Sequence, residues 1–173
     1  MQFRQSQIGV TMIELLFVLT IAAILAMVAA PSFAEFINST RQNSAFSQLT
    51  SDLNRARNEA IKRNSWVLVC VRDSSGTDCG TGTNWQNGWL VCYDKNTDGS
   101  CDTDDIATNP NPIVIRQALS PNLTLIGSAA SVRFNPNGTQ GTGGAATLTL
   151  GGNWSGAQSK VANIAVTGNL SRP

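Results

Sequence analysis

The 173-residue chain carries 12 Lys and Arg against 11 Asp and Glu, a formal net charge of +1 with a sequence pI near 7.6, so no global field draws it to nucleic acid. Histidine is absent, which removes Ser-His and Cys-His nucleophile pairs and every His-containing zinc site; neither enzyme chemistry nor a cofactor is expected. Beyond Arg63 about 110 residues remain, enough for one small globular head and too few for two domains.

Residues 1–9 form a short polar leader with one cation, Arg4, and end in Gly9. From Leu15 to Ala34 about 20 residues carry no charge, which at ~1.5 Å of helical rise each spans the ~30 Å of bilayer hydrocarbon. Glu14 alone interrupts the run, near its outset, where a carboxylate is costly unless it has a partner or a role. An ordinary secretory signal is cut after its apolar segment, whereas this segment reads as the part that is kept.

The order of polar leader, Gly9, Val10, Thr11, Met12, Ile13, Glu14 and uninterrupted apolar helix resembles the class III leader of type IV pilins and type II secretion pseudopilins. The resemblance implies cleavage between Gly9 and Val10 by a prepilin peptidase and N-methylation of Val10. It also implies that Glu14, fifth in the mature chain, faces the free amine of a neighbouring pilin. Val10 departs from the family, in which phenylalanine is commonest at that position. The same resemblance implies a bacterial inner-membrane, single-pass protein whose periplasmic head joins a filament of other pilins.

Pro31 removes one helical hydrogen bond and is expected to bend the helix without ending it, because helical spacing resumes directly. Phe33, Phe36 and Ile37 open an apolar stripe that continues as Phe46, Leu49, Leu53, Ala56 and Ala60. Arg41, Asp52, Arg55, Arg57, Glu59, Lys62 and Arg63 are expected mostly off that face. The division that follows is a membrane and filament-core half over 10–34, an amphipathic half over 35–63 and a head over 64–173.

At Asn64 the period changes. Trp66–Val71 and Gly88–Tyr93 read as buried strands, followed by strands at Ile113–Gln117, Leu123–Ile126, Val132–Phe134, Ala145–Leu150 and Val161–Val166. Turn signals such as Asn135-Pro136-Asn137-Gly138 separate them, and Gly141–Gly144 reads as a hairpin tip. The predicted fold is α+β: a long N-terminal helix packed on a mainly antiparallel β-sheet head.

Cys70, Cys79, Cys92 and Cys101 form two pairs with eight residues inside each. Zinc favours shorter Cys spacings, and an external head sits in an oxidising compartment, so disulfides are expected. Local pairing, Cys70 with Cys79 and Cys92 with Cys101, competes with a bridge between the strand residues Cys70 and Cys92. Asp94-Lys95-Asn96-Thr97-Asp98-Gly99, with Asp105 twelfth, matches the first half of a calcium loop. It lacks the closing bidentate Glu and the apolar eighth residue, and a plain Asp, Asn and Gly turn competes with it.

The helix ending in Arg55-Ala56-Arg57-Asn58-Glu59-Ala60, the strand closing on Cys70, Cys79, Trp85, Gly88-Trp89-Leu90-Val91 and Val132-Arg133-Phe134-Asn135-Pro136-Asn137-Gly138 together resemble the FimT/GspH branch of minor pilins and pseudopilins. That resemblance implies a minor pilin in type IV pilus assembly, with a GspH-like pseudopilin of type II secretion as the alternative. Some members bind double-stranded DNA for uptake in natural transformation, through an element resembling Gly-Arg-x-Arg near the C-terminus. Here the aligned stretch is Gly168-Asn169-Leu170-Ser171-Arg172, with both arginine positions substituted. The DNA-contacting candidates are Lys160, Arg172 and Arg133.

Overall fold

A computed structural model describes residues 9–102, 112–141 and 144–171. Most of the leader, the DNA candidate Arg172 and the calcium-loop residue Asp105 lie outside the described residues, as does part of the expected hairpin tip. By internal contacts the chain divides into two units, one ending at Ile37 and the other beginning at Asn38.

Helix α1 is Met12–Arg63 and continues through Pro31. Thr11 caps its start, the Thr11 hydroxyl accepting the Glu14 N–H at 3.3 Å, which is one half of a Thr-x-x-Glu capping box. Its end is a left-handed Asn64, φ 48°, after which the Ser65 N–H donates to the Ala60 carbonyl at 3.1 Å. That return closes the last turn, and Lys62 and Arg63 there complement the helix dipole.

The head holds two antiparallel sheets. Strands β1 (Val67–Val71), β2 (Trp89–Tyr93), β3 (Val114–Ile115) and β5 (Ser131–Phe134) form one sheet in the order β3-β2-β1-β5. Strands β4 (Leu123–Gly127), β6 (Ala146–Gly152), β7 (Lys160–Ile164) and β8 (Leu170–Ser171) form the other, in the order β4-β6-β7-β8. The expected strands are present, and β8 is additional. The strands divide into two sheets because β4 and β5, only three residues apart, do not pair as a hairpin.

The cause is the corner between them. The Ser128 N–H donates to Thr147 at 2.9 Å and the Ala130 carbonyl accepts from Val71 at 3.0 Å, so the connection feeds both sheets. Trp85, fully buried in the short 3-10 turn Trp85–Asn87, donates its indole N–H to the Ala129 carbonyl at 2.9 Å. A Cβ on Gly127 would stand 2.4 Å from that nitrogen. Glycine is what lets the indole reach the corner.

β4, β6 and most of β7 alternate buried residues with half-buried or exposed ones, as one-sided strands do. β1 and β2 are buried throughout. Their inward residues Val67, Val69, Val71, Trp89 and Val91 join Leu125, Leu148, Leu150 and Ile164 of the second sheet, and Phe46, Leu49, Leu53, Ala56 and Ala60 of α1, in one core. The outward Leu68, Cys70, Leu90 and Cys92 form a second cluster covered by Cys79 and Cys101.

The helical stripe is corrected at two points. Phe33 and Phe36 are exposed, at 66% and 65%, and the buried face begins at Gln42. Asp52, placed off the face by its charge, is 2% exposed; three residues after Leu49 and four before Ala56, it stands on the buried side of the helix.

Candidate functional site

The described part of the first unit has one conspicuous property. Val10, Met12, Ile13, Leu16, Phe17 and Leu25 are each more than half exposed, and α1 includes a stretch long and apolar enough to cross a membrane with none of it buried within the chain. Fully covering a side chain of this size stabilises by roughly 1.5–3 kcal/mol, so leaving such a run in water costs on the order of 20 kcal/mol. The surface is therefore built for lipid or other helices. Glu14 is exposed at its outset and, beyond the backbone cap, no partner within the described chain faces its carboxylate.

In the second unit polar contacts fix the rest of α1 to the sheets. The Asp52 carboxylate accepts from Arg116 Nε at 2.8 Å, Arg116 Nη2 at 3.0 Å and Trp89 Nε1 at 3.0 Å. The hydrogen bond to Asp52 raises the Arg116 pKa above its usual value. Gln42, 3% exposed, donates Nε2 to the carbonyls of Gln158 at 2.8 Å and Leu150 at 3.3 Å. Arg57 donates to the Gly138 carbonyl at 2.9 Å, Asn169 Oδ1 at 3.0 Å and the Thr167 carbonyl at 3.4 Å.

Near the C-terminal end of α1, Glu59 accepts from Arg63 at 3.0 Å and from the Tyr93 hydroxyl at 3.1 Å. Burial pushes the Glu59 pKa up, but these two hydrogen bonds outweigh it and hold the carboxyl below its ordinary value. Burial, then the Glu59 charge, pushes the Tyr93 phenol up to about 12.

The two DNA candidates among the described residues, Lys160 and Arg133, do not converge. Lys160, at the start of β7, donates to Asn43 Oδ1 and lies 5.8 Å from the Phe46 ring, against α1. Arg133 belongs to the other sheet and faces away from the core: it pairs with Asp94 at 2.7 Å and stacks on Trp66 at 6.0 Å. The Gly168–Ser171 stretch, read beside Gly-Arg-x-Arg, is a turn and β8. Leu170 pairs with Ile164 and packs on the core, and Asn169 takes the Arg57 guanidinium. A Cβ on Gly168, φ 78°, would stand 2.0 Å from the Gly138 carbonyl oxygen. This stretch serves to close the head onto the helix.

The cysteines pair locally, Cys70 with Cys79 and Cys92 with Cys101. Asp78 coordinates the two loops, its Oδ1 accepting the backbone N–H of Cys79 at 2.7 Å and of Cys101 at 2.9 Å. The four sulfurs lie within 4.8 Å of one another, but each is bonded to its partner, which leaves no thiolate for a metal. The turn leading to Cys79 is held by Asp73, whose pKa falls to about 2 through hydrogen bonds from the Ser75 hydroxyl and then from the Asp78 and Gly76 N–H groups. In the Asp94 loop, Asn96 Nδ2 donates to Asp98 Oδ2 at 2.8 Å and Arg133 engages one oxygen of Asp94.

Sequence reasoning missed Asp52, Arg57 and Arg116. Only Asp52 left a trace, in its position within the apolar spacing; the partners of Arg57 lie 81 to 112 residues away.

No curated protein sequence matches the chain. Its backbone is similar to two crystal forms of the type IV minor pilin FimU of Pseudomonas aeruginosa strain PAO1. For the P21 form the TM-score is 0.58 at 18% identity, covering 80% of this chain and 92% of that one. For the P65 form it is 0.55 at 19%, covering 76% and 91%. At these identities the likeness is one of fold, the α+β pilin fold. Residues 45–169, well over half of the chain, match the family described as type II transport protein GspH: the chain belongs to the GspH family.

Proposed function

We propose that this chain is a minor pilin that takes part in assembling a type IV pilus. The observation that carries the reading is the exposed apolar segment of α1 with a lone carboxylate, Glu14, at its start. Such a segment is stable in the inner membrane and equally stable in a bundle of like helices, and in the bundle Glu14 gains the cation its burial requires. Cleavage between Gly9 and Val10 supplies that cation as the mature N-terminus, methylated or not. The head is periplasmic in this reading, where its two disulfides form.

The FimU likeness and the GspH family support a filament subunit and have no enzymatic role attached to them. The same physics operates in a type II secretion pseudopilus, which the family's description as a type II transport protein keeps as the second reading. DNA binding by the head is not part of the proposal: of the described candidates, Arg133 is paired with Asp94 and Lys160 stands on the other sheet.

The test is Glu14→Ala in the native host. The variant is expected in membranes at wild-type level, with an intact mass beginning at Val10, and depleted from sheared filaments. Wild-type amounts in sheared filaments would remove the assembly argument. Deleting the gene and scoring twitching beside type II secretion assigns the machine: loss of twitching alone is expected, and loss of secretion alone would transfer the chain to the pseudopilus.

A further inference from the structure

We propose that the loop following β2 is a calcium site, in which Asp94, Asn96 and Asp98 supply side-chain oxygens, Ser100 its carbonyl, and Asp102 a ligand through water. Asp94 is fully buried. One carboxylate oxygen, Oδ2, accepts the Gly99 N–H at 3.3 Å and Arg133 at 2.7 Å. The other, Oδ1, is buried with no hydrogen-bond partner. A buried charged oxygen left bare is a costly arrangement that calls for an explanation. Because Oδ2 takes an N–H from the loop itself, the carboxylate stands inside the loop, and Oδ1 with it.

The surrounding residues explain it. Counted from Asp94, oxygen-bearing side chains fall at the first, third, fifth and ninth positions and glycine at the sixth, the spacing with which a chain wraps a hard cation. The backbone has the matching curl: Thr97 and Gly99, fourth and sixth, are left-handed at φ 61° and 91°. The Asp98 N–H donates to Asn96 Oδ1 at 3.1 Å and Asn96 Nδ2 to Asp98 Oδ2 at 2.8 Å, which keeps both side chains together. Arg133 holds Oδ2, leaving Oδ1 as the ligating oxygen.

The loop is also held in place before any ion arrives. The Cys92–Cys101 disulfide closes the segment around it, Asp102 accepts the Lys95 N–H across its mouth, and Arg133 ties Asp94 and the Thr97 carbonyl to β5. A donor set of oxygens alone selects calcium or magnesium over transition metals, and an irregular loop suits calcium's flexible coordination better than magnesium's strict octahedron. Affinity should fall among extracellular modules, with Kd on the order of 10⁻⁴–10⁻³ M.

The experiment uses the full chain in detergent, stripped with chelator and titrated with calcium chloride or magnesium chloride at constant ionic strength, read by calorimetry and thermal unfolding. One saturable calcium event in that range is expected, with Tm raised by about 4 °C at a tenfold excess over Kd and magnesium at least tenfold weaker. Asp98→Asn and Asn96→Ala alter exposed side chains outside the Arg133 pair. Each should leave the calcium-free Tm within about a degree of wild type and raise Kd at least tenfold. Absence of saturable binding by the folded wild type up to about 10 mM calcium overturns the proposal. So does equal binding of magnesium, or wild-type titration by both variants.

Discussion

Replacing Arg116 by Met tests whether the buried carboxylate on α1 is what fixes the helix to the first sheet. The Asp52 side chain is 3% exposed and would keep only the Trp89 indole at 3.0 Å, having lost two charged donors. Stranding one member of a buried pair costs about 3–5 kcal/mol. The Arg116 side chain is 37% exposed, so water enters where the guanidinium stood and offsets part of that, leaving about 2–3 kcal/mol. For a unit of this size the loss lowers Tm by about 8 °C, measurable by near-ultraviolet circular dichroism of the full chain in detergent. Combining Arg116→Met with Asp52→Leu removes the stranded charge as well and strands only a neutral indole N–H, at about 1–2 kcal/mol. The double variant is therefore expected to be more stable than Arg116→Met alone. Additive losses in the double variant would refute the claim that the cost of the single change is an uncompensated buried charge.

Two further outcomes follow from the other contacts of α1. Arg57→Met leaves the Gly138 carbonyl and the Asn169 amide without their cation and should destabilise the head by about 1–3 kcal/mol, with amide exchange accelerated first around Thr167–Ser171; unchanged exchange there would remove the clamp. Tyr93 is the single tyrosine, so absorbance at 295 nm reads it alone: the native midpoint is expected at about 12 against ~10 in denaturant, and Glu59→Gln should move the native midpoint down. With the folded phenol pKa raised, its contribution is fully present below about pH 10 and is lost as pH climbs toward 12, roughly 2 kcal/mol in all. Glu59 has the opposite sense, its lowered folded pKa giving stability above the ordinary carboxylate range that disappears as pH falls through it.

The parts of this fold legible in the sequence are those where one physical demand repeats along the chain. The apolar run, the helical stripe from Phe46 to Ala60 and the strand runs at β1 and β2 each repeat a pattern at the period of the element they form. Local cysteine pairing was legible for a related reason, since each loop is short and starts from a strand. The corner at Gly127–Ala130 was not, because three polar or small residues between two strands describe a hairpin equally well. What decides it is an indole from Trp85, more than forty residues upstream in the chain. β8 was illegible because two residues carry no period, and its pairing is visible only once β7 stands beside it.

Charge was the least legible feature, and the reason bears on function. From sequence, Arg133 and Lys160 are cations in a nearly neutral head and so stand out as phosphate ligands; in the structure one neutralises Asp94 and the other leans on Asn43 and Phe46. Arg57 and Arg116, whose roles no motif indicated, hold α1 to the C-terminal turn and to the end of β3. Each of these cations has a partner within the head, and for Arg133 and Arg116 that partner is a carboxylate that already offsets the charge a phosphate would need. For these residues an external anion therefore competes with the packing of the head itself. The exposed apolar segment of α1 faces no such competition: nothing within the described chain covers it, so burying it against lipid or neighbouring helices displaces water alone. Among the described residues, the surface open to an external partner without such competition is hydrophobic, and it is located on the helix.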